Sequence, residues 1–307
     1  MERRDFLKSA ALSGVVASAA QRGIPRRKYK GNIELSVIGF GGIVVCGMEQ
    51  KDADRTVAAS FDRGINYYDV APSYFDGEAE TKLGIALAPY RKNAFLACKT
   101  TERDAKGAQK ELEQSLQRLK TDHFDLYQFH AVTKMDEVER IFGPGGAAET
   151  FVKAKKDGKV RHLGCSAHSE EAAIAMMDRI QLDSILFPIN FVLYAHGFGP
   201  KVVEHAKSKG VARLALKALA HKPWEKSADR KAHPKTWYEP IANRDLAAKA
   251  LRFTLSEDVT AAIPPGDEKI YHLALDLAQE YQPLASAERT ELLAQARSIA
   301  PLFPAHG

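Results

Sequence analysis

The sequence predicts an α/β protein folded as a closed (β/α)8, or TIM, barrel. From Ser36 onward, short runs rich in β-branched and aromatic residues alternate with longer segments of helical periodicity, a pattern typical of parallel βαβ units. Eight such pairs follow one another in 307 residues, and the 45% hydrophobic content allows a sizeable core. An open doubly wound sheet is the alternative, but no G-x-G-x-x-G motif for a dinucleotide follows the first strand.

The predicted strands cover residues 36–44, 66–70, 94–99, 124–130, 160–166, 184–190, 212–219 and 260–264. The predicted helices cover residues 53–63, 79–88, 106–119, 147–156, 170–178, 201–209, 246–256 and 269–279. Gly64, Gly158 and Gly210 come just after helical segments, where a left-handed C-cap favours glycine. Outside this repeat, the pattern predicts an N-terminal hairpin over 28–35 that closes the barrel bottom, an extra C-terminal helix over 285–300, and a long connection over 221–243.

The first 20 residues differ from the rest in composition. The pair Arg3 and Arg4 precedes a Phe-Leu-Lys triplet, a mildly apolar run over 10–16 and an Ala-Ser-Ala tripeptide, an order that resembles a twin-arginine export signal. The apolar run is far shorter than the roughly 18 residues that span a bilayer, which argues against a stable membrane anchor. We therefore expect a signal segment over 1–20 and a barrel domain over 28–307. The expected partner is the twin-arginine export machinery and the expected location is the periplasm, or the cytoplasm if the signal is not used.

Charge and cysteine content argue against two other classes of function. The formal net charge is +5, of which the first eight residues contribute +1, and the remainder is too small to predict a nucleic-acid partner. Cys46, Cys98 and Cys165 lie in or beside apolar stretches, without a C-x-x-C pair or metal-ligand spacing. We interpret all three as small buried hydrophobic residues.

Three consecutive predicted strands end in ionisable residues, and barrels of this class build their active sites at the carboxyl ends of the strands. The second strand ends near Asp69, the third in Lys99 and the fourth in His130, and the turn after the second supplies Tyr74. A free tyrosine titrates near ~10, so proton exchange at neutral pH needs surroundings that favour phenolate. Lys99 would supply that charge, Asp69 would keep Lys99 charged, and a neutral His130 would relay the proton or position a carbonyl oxygen. The hydride would come from a cofactor, because no side chain provides one.

The residues around these four positions resemble the aldo-keto reductase family. The likeness covers about residues 30–300, and it is carried by residues 64–74, by Glu78-x-Glu80-x-x-Leu83-Gly84, and by residues 99–100, 125–130 and 158–166. The resemblance implies an NAD(P)-dependent enzyme that moves a hydride between NADP(H) or NAD(H) and a small carbonyl or alcohol substrate. It makes Tyr74 the general acid/base, gives Asp69 and Lys99 the tuning of that tyrosine, and gives His130 the orientation of the carbonyl.

The resemblance also implies contacts to the nicotinamide. Ser166 and Asn190 stand where the family hydrogen-bonds the carboxamide, although His168, not asparagine, lies close after Ser166. Leu216 and Lys217 end the seventh strand, where the family tends to place a stacking tyrosine. Lys217 could instead reach the pyrophosphate or remain an ordinary surface lysine.

The turn after the eighth strand resembles the phosphate-binding turn of the family. It reads Ile-Pro-Pro and ends in Gly266, just before a predicted helix N-terminus, where free N–H groups favour an anion. Lys269 is the nearby cation. The implied cofactor is NADP, with NAD as the alternative.

Two other functions fit parts of the pattern. His130, His168, His196 and His221 follow strands four to seven and could bind a metal together, as in a metal-dependent TIM-barrel hydrolase. Against this, the first strand has no His-x-His pair, the eighth has no closing aspartate, and the motif around Tyr74 would be unused. The other alternative is a non-catalytic nucleotide-binding protein that retains the fold without turnover.

Overall fold

The computed structural model describes residues 23–303, so the segment predicted as an export signal lies outside the described residues. An antiparallel hairpin of β1 (Arg26–Lys30) and β2 (Ile33–Ser36) precedes the barrel. The parallel barrel strands are β3 (Phe40–Gly41), β4 (Tyr67–Asp69), β5 (Phe95–Thr100), β6 (Phe124–Val132), β7 (Val160–Ala167), β8 (Ser184–Pro188), β9 (Ala212–Leu216) and β12 (Ala261–Ile263). The ring closes where the Gly39 N–H donates to the Ala262 carbonyl over 2.9 Å. The predicted (β/α)8 class and its N-terminal hairpin are confirmed.

Helices surround the barrel on its outer side. They are α1 (Gln50–Asp62), α2 (Glu78–Ala86), α3 (Ala105–Arg118), α4 (Met135–Phe142), α5 (Ala147–Lys156), α6 (Glu170–Arg179), α7 (Phe191–Ala195), α8 (Pro200–Ser208), α9 (Arg244–Ser256), α10 (Glu268–Gln279) and α11 (Ser286–Ala296). The eight predicted helices are recovered within about three residues at each end, and α11 is the predicted C-terminal helix. The sequence pattern missed α4 and α7, both short.

The first barrel strand is much shorter than the predicted 36–44. Ser36 ends β2, only Phe40 and Gly41 form β3, and residues 42–45 form a 3-10 turn. A Cβ on Gly42 would lie 2.7 Å from a Val70 side-chain carbon, so the chain turns here against its neighbour with room for glycine only. An apolar run alone does not distinguish a buried turn from a buried strand, which explains the error.

Two separate hydrophobic cores follow from this architecture. The larger lies between the strands and the helices, and it includes all three cysteines, which are buried free thiols as predicted. The smaller fills the barrel interior, where Tyr29 and Leu35 of the β1–β2 hairpin pack beneath Tyr67, Phe95 and Leu126. The hairpin therefore closes the bottom of the barrel and leaves the carboxyl ends of the strands as the open mouth.

The long connection predicted over 221–243 contains a second antiparallel hairpin, β10 (Ala220–Pro223) and β11 (Tyr238–Pro240). Lys235, near the end of the loop between these strands, donates to the Val44 carbonyl over 2.7 Å. The loop thus reaches from the seventh strand to the turn after the first. No helix within residues 23–303 is both long enough and apolar enough to cross a membrane.

Candidate active site at the barrel mouth

The side chains of the site are the uppermost inward-facing residues of three neighbouring barrel strands. Alternate residues of a strand face the same side, so a residue at the mouth shares its face with the residue two positions earlier. Tyr67, Ala97 and Leu126, lower on β4, β5 and β6, belong to the interior core. The uppermost residues on this face are polar: Asp69 on β4, Lys99 on β5, and Gln128 with His130 on β6.

Asp69 and Lys99 form an ion pair at the base of the mouth, with 2% and 1% of their side chains exposed. The Lys99 ammonium also donates to the Val70 carbonyl over 3.2 Å. Asp69 accepts further hydrogen bonds from Gln128 Nε2 at 2.9 Å and from the Tyr67 hydroxyl at 3.2 Å. Because a buried charge is costly unless it is paired and hydrogen-bonded, this network holds both charges in fixed positions.

Tyr74 is held above the ion pair by a strained turn. Its hydroxyl lies 3.4 Å from Lys99 Nζ, within hydrogen-bond reach. Phe75 and Asp76 have φ angles of 50° and 51°, and Gly77 follows at 85°. Residues other than glycine rarely adopt this region, and such strain is concentrated at functional sites. The turn therefore fixes the direction in which the Tyr74 side chain enters the mouth.

The protonation states differ in one respect from the sequence-based prediction. Burial raises the pKa of Tyr74 above its ordinary value, although the Lys99 ammonium acts in the opposite direction. Burial likewise acts to lower the pKa of Lys99, but the Asp69 carboxylate outweighs it and raises that pKa. The predicted stabilisation of the phenolate by Lys99 is present, but desolvation of the phenolate is the larger effect, so the net pKa of Tyr74 is raised. Tyr74 is thus a protonated donor beside a permanently charged lysine.

His130 faces Tyr74 across the mouth, with ring centroids 5.7 Å apart and the rings nearly perpendicular. Burial, followed by the charge of Lys99, lowers the pKa of His130 well below its ordinary value, so the imidazole is neutral. Arg103 donates to the His130 carbonyl over 2.8 Å, and Ala131 has a φ of 53°. This hydrogen bond and this backbone conformation fix the end of β6, and with it the position of the His130 ring at the mouth.

The residues expected to contact the nicotinamide occupy the neighbouring strand ends. Ser166 accepts a hydrogen bond from the Ala131 N–H at 2.9 Å, and its own hydroxyl proton has no acceptor among residues 23–303. Asn190 caps α7 through the Leu193 N–H at 2.9 Å and donates to the Lys217 carbonyl at 3.0 Å. Its amide therefore ties two strand ends together within the barrel wall. Leu216 lies at the top of the interior core.

Lys217 has a φ of 66°, and its side chain extends between two rings of the β10–β11 hairpin. Its Nζ lies 5.1 Å from the Trp237 ring centroid and 4.8 Å from that of Tyr238. Burial, followed by the proximity of Tyr74, raises the pKa of Tyr238. The seventh strand has no aromatic residue at its end, but the hairpin after it brings Tyr238 close to Tyr74.

The N-terminus of α10 follows β12, which lies between β9 and the first strand of the barrel. A Cβ on Gly266 would lie 2.3 Å from Ile43 Cγ2, so this turn packs directly on the turn after β3. Asp267 caps the helix by accepting the Lys269 N–H at 3.1 Å, and the Lys269 side chain is exposed. His233 Nδ1 lies 3.2 Å from the Asp267 carboxylate, so the long loop contacts this helix end.

The four histidines of the metal alternative do not form one cluster. His196 makes a hydrogen bond at 2.9 Å to the Ile299 carbonyl, and His221 faces Glu239 at 3.5 Å. Only His130 and His168 remain near each other, and residues 23–303 contain no group of three or more His, Cys, Asp or Glu side chains suited to a metal ion. Neither the metal-dependent hydrolase nor the non-catalytic nucleotide-binding protein gains support.

Several side chains that build the site were not predicted from the sequence: Gln128, Tyr67, Arg103 and Tyr238. The first two share a strand face with His130 and Asp69 at a spacing of two, a signal that was available. Arg103 lies in a loop and Tyr238 begins β11 of the long connection after β9, and the path of neither segment could be predicted from periodicity.

A buried lysine–aspartate pair beneath a tyrosine, with a neutral histidine opposite, defines a site suited to proton exchange with a carbonyl oxygen in a (β/α)8 barrel. The model of the Aldo/keto reductase family matches residues 37–296, and the chain belongs to that family. Its members are oxidoreductases that use NADP(H) or NAD(H), most commonly NADP(H), so the chain is an NAD(P)-dependent oxidoreductase.

Individual relatives agree with this assignment. Aldo-keto reductase YhdN of Bacillus subtilis is 31% identical over 204 residues, which span 61% of this chain and only 59% of that protein. The oxidoreductase YqkF of the same organism is 24% identical over 92% of this chain and 98% of its own length. An aldo-keto reductase of Bacillus halodurans, solved in its holo form, shares the fold with a TM-score of 0.71 at 21% identity, over 91% of this chain and 98% of that one.

Proposed function

We propose that this enzyme interconverts an aldehyde or ketone and the corresponding alcohol, with Tyr74 as the general acid/base. The observation that carries the proposal is the position of Lys99 Nζ, which bonds Asp69 and lies 3.4 Å from the Tyr74 hydroxyl. An ammonium at that distance stabilises the phenolate left behind when the tyrosine gives up its proton.

Each residue then has a distinct part in reduction. Bound NADPH would supply the hydride to the carbonyl carbon. Tyr74 donates its proton to the carbonyl oxygen, and the charge left on the phenolate is balanced by Lys99, which Asp69 keeps protonated. Neutral His130 can donate a hydrogen bond to the same oxygen and so align the carbonyl. In the oxidation direction the Tyr74 phenolate takes the proton back from the alcohol.

The side chains around the mouth fit a nicotinamide nucleotide. The unused hydroxyl proton of Ser166 suits a carboxamide oxygen at the nicotinamide end. Lys235 and Lys269 lie beside the N-terminus of α10, where phosphates would be favoured. The Asp267 carboxylate already caps that helix, so the two lysines are the groups we expect to hold the phosphates.

Replacement of the tyrosine hydroxyl tests the proposal. We expect Tyr74→Phe to lower kcat for aldehyde reduction by about 10²–10⁴-fold, the usual contribution of a general acid, while NADPH still binds. Tyr90→Phe makes the same chemical change in a ring that stacks on Phe61, so it should retain wild-type kcat. Steady-state oxidation of NADPH with a panel of aldehydes measures both. Equal rates for Tyr74→Phe and wild type would overturn the assignment.

We further propose that residues 1–20 are a twin-arginine signal, that the barrel domain spans 28–307, and that the enzyme is exported to the periplasm. The paired Arg3 and Arg4 and the order of segments that follow support this. Changing both arginines to lysine should retain the enzyme in the cytoplasm, as measured by immunoblots of cell fractions. An unchanged distribution would contradict export by this route.

An exported enzyme would need to carry its nucleotide, because nicotinamide nucleotides are recycled in the cytoplasm. We therefore expect about one nucleotide per chain in protein purified from the periplasm. Mass spectrometry of small molecules released by denaturation tests this, and periplasmic protein free of nucleotide would contradict it.

A further inference from the structure

Two basic residues at the mouth, Lys217 and His168, lie near each other and have no acidic partner among residues 23–303. Lys217 at the end of β9 and His168 just after β7 lie close enough that the lysine charge lowers the pKa of the imidazole. Lys217 and His168 both lower the pKa of His130. The Asp69 carboxylate is already bound by three donors, so it does not balance these groups.

The surroundings of the Lys217 ammonium leave its hydrogen bonds free for an anion. The Lys217 side chain is half-buried, its ammonium lies over the Trp237 and Tyr238 rings, and no carboxylate of residues 23–303 pairs with it. Ring faces attract a cation but accept none of its hydrogen bonds as a carboxylate would. The φ of 66° at this residue is rare for a residue other than glycine, and such strain is concentrated at functional sites.

The two histidines add unused hydrogen-bonding atoms. His130 Nδ1 and His168 Nδ1 are both buried without a partner among residues 23–303. Buried polar atoms are normally satisfied, and exceptions point to a group that is bound during function. A neutral imidazole retains one N–H, so His168 can donate to an oxygen that Lys217 also binds.

A cavity lies beside His168. A cavity of about 300 Å³ is lined by His168, Phe198 and Phe303, and the Phe303 ring lies 5.2 Å from His168 and 6.0 Å from Trp237. Glu170 and Glu171 lie at the same cavity, but Glu170 accepts the Gly199 N–H at 2.8 Å and neither carboxylate shifts the pKa of His168. The cavity therefore places two aromatic rings beside the His168 imidazole, with Glu170 and Glu171 also in its lining.

We propose that the substrate is a carbonyl compound that carries a carboxylate, with Lys217 and His168 binding the carboxylate while the carbonyl oxygen lies at Tyr74 and His130. This inference rests on the proposed function of the same site. The alternative anion is the diphosphate of the nucleotide. We favour the substrate because the Lys217 charge acts on His168, which follows β7, three strands around the barrel from β12 and the phosphate-type position at α10; Lys217 itself ends β9, the neighbour of β12, so the test below separates the two anions.

The test compares acids with their esters. The probes are 4-oxobutanoate and 4-carboxybenzaldehyde, each paired with its methyl ester, which has a similar shape but no charge. Wild-type enzyme should show kcat/KM about 10- to 100-fold higher for at least one acid than for its ester, the range expected for a charged hydrogen bond. Lys217→Met should reduce that ratio to near one, and Lys217→Arg should restore part of it.

Two further measurements separate the possible failures. The Kd for NADPH, obtained by fluorescence titration, should change less than twofold in Lys217→Met. A large rise in that Kd, with acid and ester affected equally, would overturn the proposal and assign Lys217 to the diphosphate. Wild-type enzyme that reduces esters and acids equally would also overturn it.

If wild type reduced no aldehyde, the proposed function would fail separately, and binding would still decide the inference. The fluorescence of Trp237 should report binding of 4-(hydroxymethyl)benzoate but not of its methyl ester, in wild type and not in Lys217→Met. Absence of this difference would overturn the carboxylate site whatever the outcome of the turnover assays.

Discussion

Replacing Asp69 by asparagine should damage both stability and chemistry, and a second buried carboxylate provides the control. In Asp69→Asn, Lys99 keeps its charge in a position that is 1% exposed but loses the only anion that it pairs with among residues 23–303. Breaking a buried pair by removal of one partner costs about 3–5 kcal/mol. At roughly 2–4 °C per kcal/mol for a domain of this size, Tm should fall by about 6–20 °C.

Asp183, at the other end of the barrel, is also 1% exposed and is paired with Lys30. Asp183→Asn should lower Tm as well, because it weakens a hydrogen-bonded carboxylate, but kcat should remain that of wild type. Asp69→Asn should lose at least 100-fold in kcat at a temperature where it is still folded, since Lys99 is no longer held for Tyr74. Calorimetry and NADPH oxidation measure the two effects. An Asp69→Asn protein with wild-type kcat would refute the reasoning, even if its Tm fell.

Three other outcomes follow from the structure. Gln128→Leu removes one hydrogen-bond donor to Asp69 and should lower kcat about tenfold with little change in the Kd for NADPH. An unchanged kcat would show that the 2.9 Å hydrogen bond from Gln128 to Asp69 has no part in catalysis. Burial lowers the pKa of Lys217 to about 8, and the titratable groups around it are His130, His168 and Tyr238. The kcat/KM preference for acids over esters should therefore decline as pH rises through about 8 and Lys217 loses its charge. A ratio that stays constant from pH 6 to 10 would contradict this. Burial acts to raise the pKa of Asp183, but hydrogen bonds from His162 and Lys30 outweigh it and hold that pKa well below its usual value. The Asp183 carboxylate therefore stabilises the fold above about pH 4, and this stabilisation is lost as pH falls further. Asp183→Asn should flatten the acid side of the curve of Tm against pH. Parallel curves for the variant and wild type would contradict this prediction.

The repeat of strands and helices could be predicted because each barrel unit joins a short apolar strand, buried on both faces, to a longer helix that buries one face. Buried segments that are neither a barrel strand nor a long helix were harder to predict. Residues 42–45 are buried as a turn, and α7 is a five-residue helix, too short to show helical periodicity. These errors concern local geometry and leave the position of the mouth unchanged.

The catalytic residues could be proposed from the sequence because Asp69, Lys99 and His130 each end a strand, and strand ends converge in a barrel. The net effect on Tyr74 could not, since it depends on how far burial outweighs the charge of Lys99. The environment of Lys217 depends on the path of the loop that carries Trp237 and Tyr238. Such distances between remote segments exist only in the folded chain.

The most direct test of the central claim is the fate of a deuteride. Wild-type enzyme and Tyr74→Phe would each be mixed with NADPH carrying deuterium at the transferable position and with 4-carboxybenzaldehyde, and the products examined by mass spectrometry. Hydride transfer with Tyr74 as the proton donor predicts one deuterium on the carbinol carbon in wild type, and loss of nearly all labelled alcohol in Tyr74→Phe although the nucleotide still binds. Labelled alcohol formed equally fast by the variant, or alcohol without label from wild type, would contradict the account.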